Sequence, residues 1–568
     1  MLRELAQLTL LDEENPQSFR VRAYESAEHA IAAQTVELQS LGLKELQQIE
    51  GIGKSTAEKI RELLDTGRVE RLEALRRQHP ESVVALLRIV GLGPKMLGRL
   101  RKELGVQSLD DLRRVLEEQR LRGLKGFGEK SEEKLREALS RLDAQGAFDR
   151  TPIAVALPLA ERILEELRAV PGVSHAVVAG SLRRFSETIG DIDIIVTAAA
   201  AEPVMQKLTS LPLVERVLAH GEGKTSVVTR RGIQVDLRVV GEHQLGAALL
   251  YFTGSKGHNI KLRTRALSRG LTLNEYSLSE LEGGRVVASE TEAGIYAALG
   301  LAYISPVLRE DAGEIEASER GRLPPALPSL NGDFHVHTTV SGDARSPLED
   351  IVRAAQARGY RALAITDHAE GTRAGASRAA LLEQAERIGA LQAELGDQLL
   401  LLHGVELNIG PAGELDYEPE FRRIFAFCIA SVHSHFELDR AAQTQRIVRA
   451  MHDPSVRMIG HLTARSIGAR PGIELDLAAV LSAAESTGTA LEINGALQRL
   501  DLSVEALRQA RQRPLRLVLT SDAHHEEELA RIRYAALNAE RAGIDPAQIV
   551  NTWPVPQLHQ WLAVKRPG

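Results

Sequence analysis

The chain has 568 residues, 43% hydrophobic and 26% charged, with a formal net charge of −7; such composition excludes a largely disordered chain, and the length implies about three to five domains. One cysteine, Cys428, excludes an internal disulfide framework and a thiolate zinc cluster. No apolar run reaches the ~18 residues of a membrane span, and the acidic start MLRELAQLTLLDEENP lacks a signal-peptide pattern, so no membrane and a cytoplasmic setting are expected. The negative charge does not exclude nucleic acid, because binding needs a local basic face rather than a basic total.

Residues 1–150 read as helices with glycine-punctuated turns. Three similar pieces recur: Gly51-Ile52-Gly53-Lys54, Gly91-Leu92-Gly93-Pro94-Lys95 and Gly126-Phe127-Gly128-Glu129-Lys130, each before a helical segment. A hydrophobic–Gly–x–Gly turn opening a helix offers backbone N–H groups to an anion. In repeated helix–hairpin–helix units that anion is a DNA phosphate. One copy reads as helix punctuation; three copies favour DNA binding.

From residue 151 the pattern changes. Val177–Ala179, Ile192–Val196 and Val235–Val240 read as strands between helices, and residues 241–305 mix helix and short strands. An acidic, proline-containing stretch at 311–331 reads as a linker. Beyond it short apolar strands alternate with amphipathic helices, at Ala362–Ile365, Leu399–Leu402, Leu491–Ile493 and Leu515–Leu519, which predicts an α/β domain, a barrel.

Two constellations carry chemistry. In the first, Gly180-Ser181-Leu182-Arg183-Arg184 follows a strand, then Gly190-Asp191-Ile192-Asp193 enters the next, and Asp236 lies between apolar neighbours on a third. Period two puts Asp191 and Asp193 on one face. Converging carboxylates repel unless they hold cations, and hard oxygen ligands suit Mg²⁺ or Mn²⁺. Two such ions activate a hydroxyl and stabilise a leaving phosphate.

In the second, Asp333-Phe334-His335-Val336-His337 puts two histidines at i and i+2, read as one face of a strand. Asp367-His368, Glu406, His433, His461 and Asp522-Ala523-His524 follow strands or turns, and 11 of 17 histidines lie after residue 331. Mixed histidine and carboxylate ligands favour Zn²⁺, Mn²⁺ or Fe²⁺. Active sites of such barrels lie at strand C-termini.

These residues carry a resemblance. Val178-Ala179-Gly180-Ser181, Arg183-Arg184, Glu187 to Ile195, Tyr251-Phe252-Thr253-Gly254-Ser255, Asn259, Arg263 and Asn274-Glu275-Tyr276 look like the palm and thumb of family X DNA polymerases. The histidine motifs resemble the PHP (polymerase and histidinol phosphatase) domain, and the fusion resembles the bacterial family X polymerases with a C-terminal PHP domain. The resemblance implies a multidomain chain: a lyase-like DNA-end-binding helical domain at 1–85, helix–hairpin–helix fingers at 86–150, an α+β nucleotidyltransferase palm at 151–258, a thumb at 259–310, the linker, and an α/β PHP barrel at 332–568. It implies that Asp191, Asp193 and Asp236 hold two cations, with Asp236 near the primer 3′-hydroxyl. Gly180, Ser181, Arg184 and Gly190 would bind the triphosphate. Tyr251, Phe252 and Gly254 would line the sugar pocket, Asn259 would touch the nascent pair and Arg263 the template. Gly51, Gly53, Lys54, Gly91, Gly93 and Lys95 would meet DNA. Lys59 corresponds to a lyase nucleophile, although a lysine beside a DNA phosphate more often serves as a contact, and Ser55 stands where eukaryotic members have an assisting lysine.

In the barrel, the resemblance assigns His335, His337, Glu406 and Asp522 to one cation, Glu406, His433 and His461 to a second, and His368 and His524 to a third with a nearby acid. The usual order is Ser-Asp-Gly, whereas this chain has Ser341-Gly342-Asp343. On an extended segment that displacement turns Asp343 to the other face; either the loop bends and returns Asp343 as the third site's acid, or that site is weak, and the third cation is expected to bind more weakly than the other two. His435 and His525 read as bystanders. The expected protein is a monomeric repair polymerase acting on gapped or nicked DNA with dNTPs, and a 3′–5′ exonuclease; AP endonuclease or deoxyribose-phosphate lyase activity is a side expectation. The alternatives are a template-independent nucleotidyltransferase with a phosphoesterase, and a non-catalytic scaffold at DNA ends.

Because Lys54, Lys95 and Lys130 accompany the glycine turns, DNA binding by residues 1–330 is expected to weaken with salt, with a log–log slope of about −0.9 per phosphate contact on duplex DNA. Binding titrations across salt concentrations check this, and a flat dependence contradicts the turns as phosphate sites.

Overall fold

A computed structural model describes residues 2–13, 18–32, 42–49, 51–66, 68–78, 94–124, 128, 132, 135–136 and 150–563. The chain divides into two compact units, Met1–Asp149 and Arg150–Gly568.

The first unit is helical among its described residues. Leu2–Glu13, Phe19–Ala32, Lys54–Thr66 and Pro94–Leu104 are among its helices. Leu5, Leu8, Ala27, Ile60, Leu75, Leu97 and Leu100 meet in one core. The helix Lys54–Thr66 buries Thr56, Ala57 and Ile60 on one stripe. The turn before it needs glycine: Gly51 has φ +93°, and a Cβ there would lie 2.9 Å from Ser26 Oγ. Ile52 is buried, while Gly53 and Lys54 are exposed. Gly91 and Gly93 lie outside the described residues, as do Gly126, Lys130 and the side chain of Lys95.

The second unit begins with a five-stranded sheet in the order β2-β4-β7-β6-β5. Its strands are β2 (Val173–Val178), β4 (Asp191–Ala198), β5 (Val214–Gly221), β6 (Lys224–Thr229) and β7 (Gln234–Val240), while β1 (Thr151–Pro152) pairs with β3 (Thr188–Ile189). Ile192, Ile194 and Val235 pack into one core with Ile163 and Leu167 of the helix Ile153–Arg168. The β5–β6 hairpin was not among the strands expected from sequence. β5 is exposed along most of its length, so it has none of the apolar alternation that marks a half-buried strand.

Next come the helices Leu245–Thr253 and Lys256–Leu267, the small sheet of β8 (Leu271–Leu273), β9 (Leu278–Glu280) and β10 (Val286–Ala288), and the helix Glu292–Ala298. The expected linker at 311–331 is corrected at its start. Residues Glu314–Glu319 form a helix, and buried Glu314 accepts the backbone N–H groups of Asp311 at 3.1 Å and Ala312 at 2.7 Å and lies 2.6 Å from His258 Nδ1. The other acids of this stretch pair with the helix Lys256–Leu267, Asp311 and Glu316 with Lys261 and Glu319 with Arg265, so this part is docked rather than a solvated tether.

The last part is a seven-stranded sheet, all parallel, in sequential order. Its strands are β11 (Gly332–Asp333), β12 (Ala362–Ile365), β13 (Leu400–Asn408), β14 (Phe427–Ser431), β15 (Val456–Ile459), β16 (Ala490–Asn494) and β17 (Leu517–Thr520). A parallel bridge between Val336 and Ala523 nearly closes it into a barrel. Strands such as β12, β14 and β17 are buried at every position, as parallel strands covered on both faces must be. Two details differ from expectation. The first strand stops at Asp333, so His335 and His337 follow it, and β13 runs on through Glu406.

One buried carboxylate ties the loop after β2 to the helices that follow the five-stranded sheet. Glu292 receives Arg183 at 2.8 and 2.7 Å and Arg309 at 2.6 Å, and Arg309 is fully buried. Removing the shared acceptor strands both cations. Glu292→Ala is therefore expected to destabilise this unit by about 3–5 kcal/mol, as measured by chemical denaturation; a loss below about 1 kcal/mol contradicts the shared-anchor role.

Candidate active sites

Register builds the first site. In the parallel pair β4–β7, Asp193 stands opposite Asp236, and in the antiparallel pair β6–β7, Ser226 stands opposite Asp236. The oxygens of Asp191, Asp193 and Asp236 lie within 4.8 Å of one another. Like charges at about 4 Å repel by about 4 kcal/mol at an effective dielectric of 20. Burial, then the charges of Asp191 and Asp236, push Asp193 up to about 7; burial and Asp236 also raise Asp191. Asp236 is steadied by a hydrogen bond from Ser226 Oγ and by Gln234 Nε2 at 2.9 Å. The donor set is all oxygen and mutually repulsive, and it suits hard divalent cations.

The loop beside it is shaped by close approach. Gly180 has φ +59°, and a Cβ there would fall 2.2 Å from Asp193 Oδ2. Arg150 donates to Thr188 O at 2.7 Å and lies 3.5 Å from Ser181 Oγ, and a Cβ on Gly190 would meet its guanidinium at 3.7 Å. Arg150 was not singled out from sequence, yet it is the exposed cation at this loop. Arg184 instead donates to Thr253 O at 2.6 Å and to Glu310 at 3.2 Å. Gly254 approaches it closely, since a Cβ there would lie 3.2 Å from Arg184 Nη1. Tyr251 stands edge-on to Phe252 with ring centroids 5.0 Å apart, and Arg238 lies over Phe252 at 4.3 Å. Asn259 donates to Tyr251 O at 2.7 Å, and Tyr251, Asn259, Arg263 and Asn274 line one pocket.

The second site gathers at the C-terminal ends of the barrel strands, around Glu406. Its oxygens lie 3.3 Å from His335, 3.6 Å from His337, 2.8 Å from His368, 3.2 Å from His433 and 2.9 Å from His461. Asp522 Oδ1 lies 3.7 Å from His335 Nε2 and 3.5 Å from His337 Nε2. Ligands at 2.0–2.1 Å around a tetrahedral cation are about 3.3 Å apart, which matches these separations. Both oxygens of Glu406, and the facing Nε2 atoms of His335 and His337, are buried without a hydrogen-bond partner. Such atoms fit a cation's ligands. Burial opposes every charge here. Even so, His335, His433 and His368 hold Glu406 well below the usual carboxylate range, while burial and the charges of His368 and His524 push His337 down to about 3.

The sets expected from sequence are brought together with one rearrangement. His335, His337 and Asp522 cluster within 4.8 Å, but the compact set on Glu406 is His368, Glu406 and His433, with His461 reaching Glu406 from outside it. His337, His368 and His524 form another. Of the two placements expected for Asp343, the structure has the bent loop. Its Oδ2 lies 3.4 Å from His368 Nε2 and 3.5 Å from His524 Nε2. The period-two rule fails because residues 338–344 turn rather than extend: Ser341 N–H bonds Thr338 O at 2.9 Å and Ala344 N–H bonds Ser341 O at 3.3 Å. Asp367 holds that turn, accepting from Thr338 N at 2.8 Å, Thr338 Oγ1 at 2.7 Å and Ser341 N at 3.1 Å. His435 and His525 stay outside, paired with Glu437 and Glu526.

Sequence reasoning missed Glu492, Asp333 and Asp501 as supports. Glu492 is fully buried in β16, Asp333 accepts from Ser521 N at 3.2 Å, and Asp501 accepts from Thr463 N at 2.9 Å and Thr463 Oγ1 at 2.8 Å. Their one visible signal is an acid inside or beside an apolar strand. In the helical unit, Lys59 donates to Ser55 Oγ at 2.8 Å and lies 5.9 Å from the Tyr24 ring.

Comparisons with known proteins agree with this architecture. A helix-hairpin-helix family model matches residues 1–69, a SAM-like helix-hairpin-helix tandem 83–141, the DNA polymerase beta thumb 248–310 and the PHP domain 333–496. A DNA polymerase/3'-5' exonuclease PolX of Bacillus subtilis (strain 168) is 35% identical over 566 residues, 99% of this chain and 98% of that protein. DNA polymerase lambda of Rattus norvegicus is 26% identical over 293 residues, 46% of this chain and 48% of its own length. A probable phosphatase of Syntrophotalea carbinolica is 31% identical over 236 residues, 39% of this chain and 90% of its own length.

The bent loop reverses the expectation for residues 341–343. Asp343→Asn is expected to weaken one barrel cation by more than about tenfold. The exchange Gly342→Asp with Asp343→Gly is expected to do the same, because it withdraws the acid from His368 and His524. Mn²⁺ titration of each variant checks this; tighter binding in the exchanged chain contradicts it.

Proposed function

This chain belongs to the family X DNA polymerases that carry a C-terminal PHP domain, and from that premise we propose that it fills short gaps in DNA and trims 3′ ends. The substrates are dNTPs and a primer 3′ end at gapped or nicked DNA, and the working form is a monomer in the cytoplasm. The observation that carries this reading is that one compact unit holds two separate groups of candidate cation ligands, Asp191, Asp193 and Asp236 in one and the set around Glu406 in the other.

In the palm, Asp191, Asp193 and Asp236 would hold two Mg²⁺ or Mn²⁺ ions, which when bound lower the cost of ionising the primer hydroxyl and of releasing pyrophosphate. Asp236, kept in place by Ser226 and Gln234, orients that hydroxyl. Ser181, Gly180 and Gly190 cradle the triphosphate, and the exposed guanidinium of Arg150 joins them. Tyr251, Phe252 and Gly254 line the sugar pocket, with Asn259 and Arg263 toward the base pair. In the barrel, His335, His337, Asp343, His368, Glu406, His433, His461, Asp522 and His524 would hold two to three Zn²⁺, Mn²⁺ or Fe²⁺ ions, which supply an activated water and polarise the scissile phosphate. The likeness to a probable phosphatase over 90% of its length supports phosphate-ester hydrolysis as the barrel's chemistry. Gly51, Gly53, Lys54, Gly91, Gly93 and Lys95 contact phosphates, and Lys59 serves as a further contact rather than as a lyase nucleophile.

Asp193→Ala is expected to abolish nucleotide addition, by several orders of magnitude, and to leave 3′ digestion intact. His335→Ala is expected to do the converse. Primer extension and digestion assays on folded variants check both, and loss of both activities from either variant sinks the two-site reading.

A further inference from the structure

Glu492 lies midway along β16 and is fully buried. It belongs to none of the close ligand clusters, yet it is bonded to ligands on both sides of Glu406. Its Oε1 accepts from His335 Nδ1 at 2.6 Å and from Thr520 Oγ1 at 2.6 Å, while its Oε2 accepts the backbone N–H of His461. The first bond has a chemical consequence. An imidazole that donates through Nδ1 keeps its Nε2 lone pair free, and His335 Nε2 faces Glu406 at 3.3 Å and Asp522 at 3.7 Å. The third bond fixes a backbone rather than a ring. His461 has φ +21°, an unfavourable conformation for a residue with a Cβ, and from it Nε2 reaches Glu406 Oε1 at 2.9 Å.

We propose that Glu492 is the positioning residue that sets the two cation sites sharing Glu406 together, through the ring of His335 and the backbone of His461. This rests on the metal-dependent reading of the barrel given above. The third group, Asp343, His368 and His524, donates no hydrogen bond to Glu492, whose partners are His335, Thr520 and His461. Exchanging the carboxylate for an amide replaces one acceptor oxygen by an NH₂ group. That group faces either the His461 N–H or the His335 and Thr520 donors, so one end loses its bond whichever way the amide turns. Partners behind metal ligands are worth about 10–100-fold in affinity.

The test is Mn²⁺ titration of the full chain, with Asp193→Ala in every arm to silence the palm, followed by counting bound metal after dialysis. Adding Glu492→Gln is expected to weaken two barrel sites by about 10–100-fold and to leave the third at its original affinity. Adding His335→Ala instead is expected to abolish one site and spare the site at His461. Unchanged affinity in Glu492→Gln, or weakening at one site alone, overturns the proposal. If thermal unfolding shows that Glu492→Gln does not fold, Thr520→Val decides: it removes one of the three bonds and is expected to weaken the same two sites several-fold, and no change at either overturns the proposal. A reference arm that takes up no Mn²⁺ would defeat the metal-dependent reading itself, a result distinct from the other two.

Discussion

A carboxylate sealed from water with no hydrogen bond to either oxygen is among the costliest groups a fold can hold. Glu406 is such a group. It is fully buried, neither oxygen has a hydrogen-bond partner, and five histidines point nitrogen atoms at it. The barrel is organised around that point. β13 delivers Glu406, and the turns after β11, β12, β14 and β15 deliver the histidines. The continuous apolar strands beneath hold those turns in register, so the cost of the polar cluster is borne by a core buried on both faces. Divalent cations held among these residues would supply the missing partners.

The palm meets the same constraint with oxygen alone. Pairing β4 with β7 sets Asp193 against Asp236, and Gly180 is required because any side chain there would occupy the place of Asp193. The two sites are joined mechanically. Arg465, four residues beyond His461, clasps Glu187 of the loop between Ser181 and Gly190 at 2.8 and 3.1 Å, and Phe185 stacks on Tyr534 with centroids 5.8 Å apart. Among the described residues, no candidate ligand belongs to both groups.

Much of this was legible in the sequence for identifiable reasons. Period two placed Asp191 and Asp193 on one face, and histidines recurring at strand ends marked the barrel site. Register was not legible: nothing in the letters says that Asp193 pairs with Asp236, or that Ser226 would reach it. The letters left Asp343 between two placements, because the period-two rule holds only for extended backbone and the turn that Asp367 folds is set by tertiary hydrogen bonds. Glu492 and Glu314 were passed over because an isolated acid in an apolar strand or an acidic stretch carries no pattern; only tertiary contacts reveal a buried acceptor. The exposed strand β5 was missed because it has no buried face to imprint a period.

Anomalous diffraction from crystals grown with Mn²⁺ decides whether cations occupy these clusters. Peaks are expected beside Glu406, among His335, His337 and Asp522, and among Asp191, Asp193 and Asp236. Ordered water in those places, with no Mn²⁺ peak beside Glu406 in a chain that still digests 3′ ends, would contradict the cation-binding reading.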